Sequence, residues 1–325
     1  MKRIEEYIEL ANKAVENISY PAEPNGLYEP IRYGMAQGGK RLRPALLLAA
    51  CDAAGVETEK AMKQAAAIEM FHNFTLLHDD VMDKADLRRG KPTVCNKWDD
   101  NTAILSGDTM LTLATELLAD GMEAEKAVRL LRLFNRTAIE VYEGQQYDME
   151  FETRNDVSID EYIHMIRLKT SVLLGCACKI GAIVGNATEE QCEALYNFAI
   201  HLGIAFQLQD DLLDVYGDPK VFGKAIGGDI LNNKKTFLLI NAMQLAEGDD
   251  RAELQRWLNA DAPFAGEKIA AVTALYNKLG VDALCRKEIE RYNAIALDYL
   301  HATGFGEEQL ACFEQFDKMI MGRNK

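Results

Sequence analysis

Proline is rare and unevenly placed in this sequence of 325 residues. Only seven prolines occur, and none lies between Pro92 and Pro219. Because proline removes a backbone donor and breaks helix interiors, that interval has room for long helices. Apolar residues recur there and earlier at spacings of three and four, as at Ala65, Ile68 and Phe71, while strict apolar/polar alternation is hard to find. The sequence therefore predicts an all-α protein.

Clusters of glycine, proline and polar residues divide the chain into about ten or more helices. They lie at residues 19–26, 87–93, 153–157, 185–188, 216–229 and 302–306. Ser158, with Glu161 three residues later, has the spacing of a capping box and predicts a helix start. We find no repeat of solenoid period and no linker rich in Gly, Pro and Ser. We therefore expect one helical domain over residues 1–325.

The overall charge limits the ligands to be considered. Lysine and arginine number 36 against 51 aspartates and glutamates, a net charge of -15. This field repels nucleic acid and anionic lipid, so an anionic ligand needs a local basic patch. Seven scattered cysteines without a C-x-x-C pair argue against a disulfide framework. Lys179 interrupts the most apolar stretch, residues 172–185. We expect a cytoplasmic protein without a membrane span.

Two segments share the pattern D-D-x-x-D inside apolar helical runs. They are Asp79, Asp80 and Asp83 in the first trio, and Asp210, Asp211 and Asp214 in the second. On a helix the first and last members of each trio lie on one face, where their charges repel unless a cation is bound. Oxygen ligands without Cys or His favour Mg²⁺ over Zn²⁺. One such trio could be a solvated helix face, but two identical trios in apolar surroundings favour metal binding.

Basic segments accompany both trios despite the acidic composition. Gly38–Pro44 offers a glycine pair followed by three cations, and Arg88–Pro92 follows the first trio by five residues. Lys224 and the segment Lys234–Thr236 follow the second trio. Arginine suits bidentate contacts with phosphate, and lysine acts as a point charge. Any one of these segments could be a solvated surface patch, but together they favour two anionic ligands.

These segments, with residues 71–83 (FHNFTLLHDDVMD), Lys169-Thr170 and residues 206–214 (FQLQDDLLD), resemble the polyprenyl synthetase family, the trans-isoprenyl diphosphate synthases. The resemblance keeps their order and covers nearly the whole chain. It implies an all-α homodimer of the isoprenoid synthase type, with a central cavity flanked by the two trios. It also implies that isopentenyl diphosphate condenses with an allylic diphosphate (dimethylallyl, geranyl or farnesyl).

The resemblance assigns roles to individual residues. Both trios and Lys169 carry the catalysis, with three Mg²⁺ ions per site and Asp79, Asp83 and Asp210 as metal ligands. The allylic diphosphate is bound by Arg88, Lys169, Thr170, Gln207, Lys224 and Lys234. Isopentenyl diphosphate is bound by Lys40, Arg43, His72 and Arg89. Lys235 has a reach similar to that of Lys234, so either lysine could contact phosphate.

The implied chemistry needs no protein nucleophile. Diphosphate leaves once its developing charge is neutralised, and the double bond of isopentenyl diphosphate attacks the allylic cation. A proton is then lost, and the resemblance implies that the departed diphosphate is the base that takes it. The sequence agrees, since it contains no G-x-S-x-G elbow and no P-loop.

Residues before the first trio are expected to limit product length. Thr75, Phe74 and Phe71 precede Asp79 by four, five and eight positions. An ideal helical wheel favours Phe71 over Phe74 as the residue that meets the growing chain. In the family, the residue that blocks further chain growth, called the floor residue, usually lies five positions before the first aspartate motif. We therefore expect Phe74 to be the floor residue of this chain. With Phe74 at this position and a small Thr75 beside it, the segment is most similar to synthases whose product has geranylgeranyl length. Synthases that stop at farnesyl length are the second most similar.

Three alternatives remain open from the sequence. Glu69-x-x-His72 and Glu161-x-x-His164 match half of a ferritin-like di-iron site, but that interpretation leaves both trios unexplained. A class I terpene cyclase shares the first trio but usually replaces the second with a mixed Asn/Asp, Ser/Thr and Glu pattern. A non-catalytic subunit typically loses one trio, and this chain keeps both.

Overall fold

Helices form nearly all the regular structure of the chain. The computed structural model describes residues 1–217, 226–259 and 265–322. Within these residues the helices are joined mostly by short loops, which confirms the all-α prediction. The chain divides into two compact units: Met1–Arg136, Cys176–Tyr196 and Thr303–Phe313 form unit 1, and Thr137–Gly175, Asn197–Ala302 and Glu314–Lys325 form unit 2. A single domain over residues 1–325 stays a prediction.

The first part of the chain contributes the elements of unit 1 up to residue 119. They are α1 (Ile4–Glu16), α2 (Asn25–Met35), α3 (Leu42–Ala53), a 3₁₀ turn (Thr58–Ala61), α4 (Met62–Met82), the hairpin β1 (Leu87–Arg88) and β2 (Lys91–Pro92), α5 (Val94–Lys97) and α6 (Asp100–Ala119). The hairpin falls on a segment predicted only as a break between helices. Strands of two residues are too short to show alternation in the sequence.

The remaining elements follow in chain order. They are α7 (Ala124–Thr153), α8 (Ile159–Ile166), a π-helical turn (Arg167–Ser171), α9 (Val172–Val184), α10 (Glu189–Tyr216), α11 (Gly228–Leu231), α12 (Phe237–Leu245), α13 (Gly248–Leu258), α14 (Ala265–Leu279), α15 (Val281–His301) and α16 (Glu307–Met321). Ser158 and Glu161 form the predicted capping box at the start of α8. Helix ends also fall at the predicted breaks near residues 153–157 and 185–188.

Helix α4 is the central element of unit 1. It packs along α6 and also against α1 and α3. Every residue from Gln64 to Phe71 is buried, so this helix is enclosed on all sides rather than amphipathic. Asp83 caps its C-terminus with helical backbone angles. The first trio therefore occupies the last turn of a helix that its neighbours hold in place.

In unit 2 the second trio lies near the end of α10. The later helices of this unit pack on one another, with α14 against α11, α12 and α13, and α12 against α8 and α15. The buried apolar side chains of α10 include Phe198, Leu202 and Leu208. None of the helices in the described residues combines the length and apolar character needed to cross a bilayer.

Candidate active site

The first trio divides into an inward and an outward part. Asp80 is only 3% exposed, Asp79 is half-buried and Asp83 is exposed. Two nitrogens of the Arg88 guanidinium donate to Asp80, with Nη2 at 2.7 Å and Nε at 2.8 Å from Oδ1. Consecutive helical positions differ by about 100°, so the middle aspartate turns away from the face shared by the other two. Asp80 thus anchors Arg88 to the last turn of α4.

The hairpin after α4 directs its two arginines to different places. Arg89 and Gly90 have φ values of 53° and 76°, the left-handed pair expected of a type I′ turn. Arg88 reaches Asp80, whereas Arg89 Nη1 donates a hydrogen bond to the carbonyl of Gly38. A Cβ at Gly39 would lie 3.0 Å from that same Arg89 nitrogen. Glycine at this position lets the guanidinium lie against the backbone.

The basic segment Gly38–Pro44 continues into α3, and its middle cation has a structural role. Arg41 is buried, and its guanidinium contacts Glu69 Oε1 at 2.5 Å and Asn12 Oδ1 at 3.1 Å. Lys40 on one side of it is exposed. Arg43 on the other side places Nη1 3.3 Å from His72 Nε2. The structure therefore brings Arg43 and His72 together and turns Arg41 into the core.

The environment of His72 is electropositive. Burial, with Arg43, Arg89 and Arg88 nearby, holds the pKa of His72 well below its usual range, so the ring is neutral. A neutral Nε2 can accept a hydrogen bond from Arg43 Nη1. Arg43 Nε is buried and lacks a hydrogen-bond partner within the described part of the chain. A buried donor of this kind suits an oxygen of an anionic ligand.

In unit 2, one face of α10 carries residues at a spacing of four. Gln207 Nε2 donates to Asp211 Oδ1 at 3.2 Å, and Thr170 Oγ1 donates to Gln207 Oε1 at 3.3 Å. The Tyr162 hydroxyl donates to the other oxygen of Asp211. Burial, followed by the charge of Asp229, raises the pKa of Asp211. Asp211 therefore faces inward like Asp80, and Asp210 and Asp214 are half-buried.

Two lysines of unit 2 lie among carboxylates. Lys169 Nζ is 2.5 Å from Asp148 Oδ2, and Lys234 Nζ is 4.0 Å from Asp229 Oδ1. Burial alone would lower the pKa of Lys234, but Asp229, Asp211, Asp148 and Asp214 together raise it above its usual value.

Lys235 behaves differently, because its Nζ approaches the backbone carbonyls of Glu152 and Asn233 at 3.5 Å and 3.4 Å. Lys234 is thus the lysine nearer the second trio. Lys224 lies outside the described residues.

Sequence reasoning missed Asp148 and Asp229 as members of this group. The backbone nitrogen of Asp229 donates to Asp214 Oδ2 at 2.9 Å, and Asp148 holds Lys169. Asp148 lies four residues after Gly144 in a long helix, and Asp229 follows Gly227 and Gly228. An acidic residue one turn after an isolated helical glycine was the available signal for Asp148.

The two E-x-x-H pairs have structural partners. Glu69 holds Arg41, while Glu161 accepts from the backbone nitrogen of Ser158 at 2.9 Å and from Arg154 at 2.8 Å. Among the described residues, no three His, Cys, Asp or Glu side chains converge to hold a metal ion. Both glutamates of the E-x-x-H pairs are thus engaged by other protein groups, which argues against the di-iron interpretation.

The residues proposed for the floor form part of an aromatic cluster. Phe71 is fully buried, with its ring centroid 5.0 Å from that of Phe134 and 5.4 Å from that of Phe74. Phe74 is 5% exposed and packs edge-on against His78 at 4.7 Å. Thr75 Oγ1 donates to the carbonyl of His72 at 2.8 Å. Phe71 is thus the more enclosed of the two rings.

The donors that remain at the trios suit Mg²⁺. Asp79 and Asp83 are one helical turn apart, while the middle aspartate is held by Arg88. Mg²⁺ in phosphate-binding sites takes only a few carboxylates and completes its octahedron with water and phosphate oxygens. An oxygen-only set of this size fits that requirement better than it fits Zn²⁺.

Comparison with known proteins extends this picture to the whole chain. Residues 24–278 match the polyprenyl synthetase family. The chain is 42% identical over 232 residues to a geranylgeranyl diphosphate synthase of Methanosarcina mazei, covering 71% of this chain and 72% of that protein.

It is also 38% identical over 296 residues to a geranylfarnesyl diphosphate synthase of Natronomonas pharaonis, covering 86% and 85% of the two chains. A crystal structure of a geranylgeranyl pyrophosphate synthase superposes with a TM-score of 0.92 at 43% identity, covering 100% of both chains. The fold, the order of the motifs and these similarities agree: the chain belongs to the polyprenyl synthetase family.

Proposed function

We propose that the protein is a trans-prenyltransferase that adds isopentenyl diphosphate to an allylic diphosphate, with geranylgeranyl diphosphate as its main product. The observation that carries this proposal is the pair of identical trios, each with its middle aspartate turned inward and basic residues packed beside it. A prenyltransferase releases one diphosphate for each isopentenyl diphosphate consumed. A terpene cyclase releases diphosphate from the allylic substrate alone, so this stoichiometry tests the proposal.

Allylic ionisation is assigned to the groups around the trios. Breaking the bond between C1 and the diphosphate oxygen leaves an allylic cation and a diphosphate whose charge must be neutralised. When bound, Mg²⁺ supplies Lewis-acid stabilisation of that leaving group. Asp79, Asp83 and Asp210 are proposed as metal ligands, and the count of three ions stays a prediction.

The remaining allylic contacts are assigned to the basic and polar side chains nearby. Arg88, which Asp80 holds, and Lys169, which Asp148 holds, are proposed to donate to the diphosphate oxygens. Thr170, Gln207 and Lys234 are proposed to add donors from unit 2, and Lys224 keeps the same predicted role.

The second diphosphate subsite is proposed at Lys40, Arg43, His72 and Arg89. The neutral ring of His72, the buried Nε of Arg43 and the guanidinium of Arg89 against the Gly38–Gly39 backbone support it. Isopentenyl diphosphate bound there keeps its diphosphate while its double bond attacks the allylic cation. The new carbon–carbon bond leaves a tertiary cation, which then loses a proton to the departed diphosphate.

Replacing Arg43 with alanine is expected to raise the KM for isopentenyl diphosphate about 10- to 100-fold, the effect of losing one charge-assisted hydrogen bond. The KM for the allylic substrate should change less than about twofold, because that substrate is assigned to other residues. Steady-state kinetics with each substrate varied in turn measures both constants. Arg132→Ala, at an exposed position of α7, is the matched control. An equal rise in both constants would show that the subsites are assigned wrongly.

Product length is proposed to depend on Phe74. Phe74→Ala removes a ring that retains slight exposure and is expected to lengthen the product by one or more prenyl units. Phe71→Ala is expected to change the product less and to destabilise the fold by about 3–5 kcal/mol, because its ring is fully buried. Chromatography of the dephosphorylated products measures chain length. A product distribution unchanged by Phe74→Ala, or octaprenyl product from the wild type, argues against this floor.

We further propose that the protein is a homodimer. Leu105 and Ile104 on α6 are 59% and 42% exposed, and Val128 on α7 is 48% exposed. Large aliphatic side chains at consecutive solvent-facing positions are typical of surfaces that a second protein covers. A second copy of this chain is the partner that the family resemblance favours.

A further inference from the structure

A π-helical turn links α8 to α9 and carries two of the proposed allylic ligands. It spans Arg167–Ser171 and includes Lys169 and Thr170. A π turn is wider than an α turn, and such turns occur frequently at functional sites. The wider backbone needs space on the sides where other helices pack against it. Two helix segments of unit 2, within α7 and α10, provide that space with glycine.

Helix α7 meets the π turn at Gly144. A Cβ at this position would lie 2.3 Å from Lys169 N, 2.7 Å from Lys169 Cα and 2.8 Å from the carbonyl carbon of Leu168. These are backbone atoms, which cannot rotate away as the end of a side chain can. Glycine destabilises a helix interior relative to alanine. Its presence in a helix as long as α7 is explained by this close approach.

Helix α10 meets the same turn at Gly203. A Cβ there would lie 2.8 Å from Ser171 Oγ and 2.9 Å from Ser171 Cα. Each glycine is followed four residues later by a polar side chain that reaches the turn. Asp148 binds Lys169 at 2.5 Å after Gly144, and Gln207 accepts from Thr170 at 3.3 Å after Gly203. Residues four apart lie on one helix face, so each helix presents a glycine and a polar residue together.

We propose that Gly144 and Gly203 are positioning residues that let α7 and α10 close on the π turn. Their closeness holds Lys169 and Thr170 at the distance from Asp148 and Gln207 that orients them toward the allylic diphosphate. This inference rests on the proposed function, because Lys169 and Thr170 are assigned to that substrate there. A displacement of the turn by about an ångström lowers kcat/KM for the allylic substrate. It leaves the affinity for isopentenyl diphosphate unchanged.

Gly144→Ala tests this inference. We expect kcat/KM for the allylic substrate to fall about 100-fold, the scale for misplacing reacting groups by an ångström. The KM for isopentenyl diphosphate should stay within about twofold of the wild-type value. Gly266→Ala is the matched control, since Gly266 lies in α14 of the same unit and a Cβ there meets no atom within 4 Å. If Gly144→Ala does not fold, as judged by circular dichroism, Gly203→Ala is the second variant, because its Cβ meets a less crowded position.

A double-mutant cycle separates positioning from a general loss of stability. If Gly144 acts through the π turn, adding Gly144→Ala to the double variant Lys169→Ala/Thr170→Ala should lower kcat/KM by less than about threefold further. Full additivity of the losses overturns the inference, as does a Gly144→Ala enzyme that matches Gly266→Ala. A wild-type protein without prenyl transfer would instead refute the proposed function.

Discussion

Alanine at Asp79 or at Asp210 is expected to lower kcat/KM at least about 100-fold, the scale for deleting one electrostatic stabiliser of a transition state. Each substitution removes a carboxylate from the helix face that we assign to Mg²⁺. The loss should appear chiefly in kcat, because the metal is needed most as charge develops on the departing diphosphate. Initial rates over a range of Mg²⁺ concentrations measure the effect.

The control for these variants is Asp298→Ala, which removes an exposed carboxylate from α15. It changes the net charge by the same amount and should leave kcat/KM within about twofold of the wild-type value. Circular dichroism checks that all three variants fold. Wild-type rates for Asp79→Ala at every Mg²⁺ concentration would contradict the role assigned to the first trio.

Glu69→Ala is expected to lower the free energy of unfolding by about 3–5 kcal/mol, the scale for removing one partner of a buried ion pair. Arg41 would keep its charge in the core, where within the described residues Asn12 Oδ1 and the carbonyl of Met35 accept from its guanidinium at 3.1 Å and 3.2 Å. These neutral acceptors do not replace the lost carboxylate. Both members of the pair are buried, at 6% and 2% exposure. Urea unfolding followed by circular dichroism measures the change.

A surface ion pair of the same unit provides the comparison. Lys63 Nζ lies 2.6 Å from Asp120 Oδ2, with side chains 55% and 50% exposed. Asp120→Ala should cost no more than about 1 kcal/mol, because solvent screens the pair. A loss for Glu69→Ala as small as that for Asp120→Ala would show that the Arg41 charge is compensated in another way.

Much of the local structure follows from short-range rules in the sequence. The capping box at Ser158 and the helix ends near the glycine and proline clusters obey such rules. The inward position of Asp80 and Asp211 is also implied, since a residue next to the first aspartate is rotated by about 100° on a helix. The spacing of the aspartates is therefore enough to identify the two trios and to predict which member of each trio faces inward.

Other features depend on contacts between residues far apart in the chain. Arg41 and Glu69 are 28 residues apart, and Lys169 and Asp148 are 21 apart. The three cations of Lys40, Arg41 and Arg43 look alike in sequence, and only packing against α4 decides that the middle one is structural. The π turn has no periodic signal of its own, and the glycines that pack against it lie on two other helices. Propensity and periodicity describe single elements, so these pairings could not be predicted from them.

Condensation of isopentenyl diphosphate with an allylic diphosphate is the activity on which all the site assignments depend. Incubation with Mg²⁺, labelled isopentenyl diphosphate and farnesyl, geranyl or dimethylallyl diphosphate, followed by chromatography of the products, tests it most directly. We predict labelled geranylgeranyl diphosphate as the main product and no labelled product in excess EDTA. Unlabelled hydrocarbon, or full incorporation of label in excess EDTA, would contradict the proposed function.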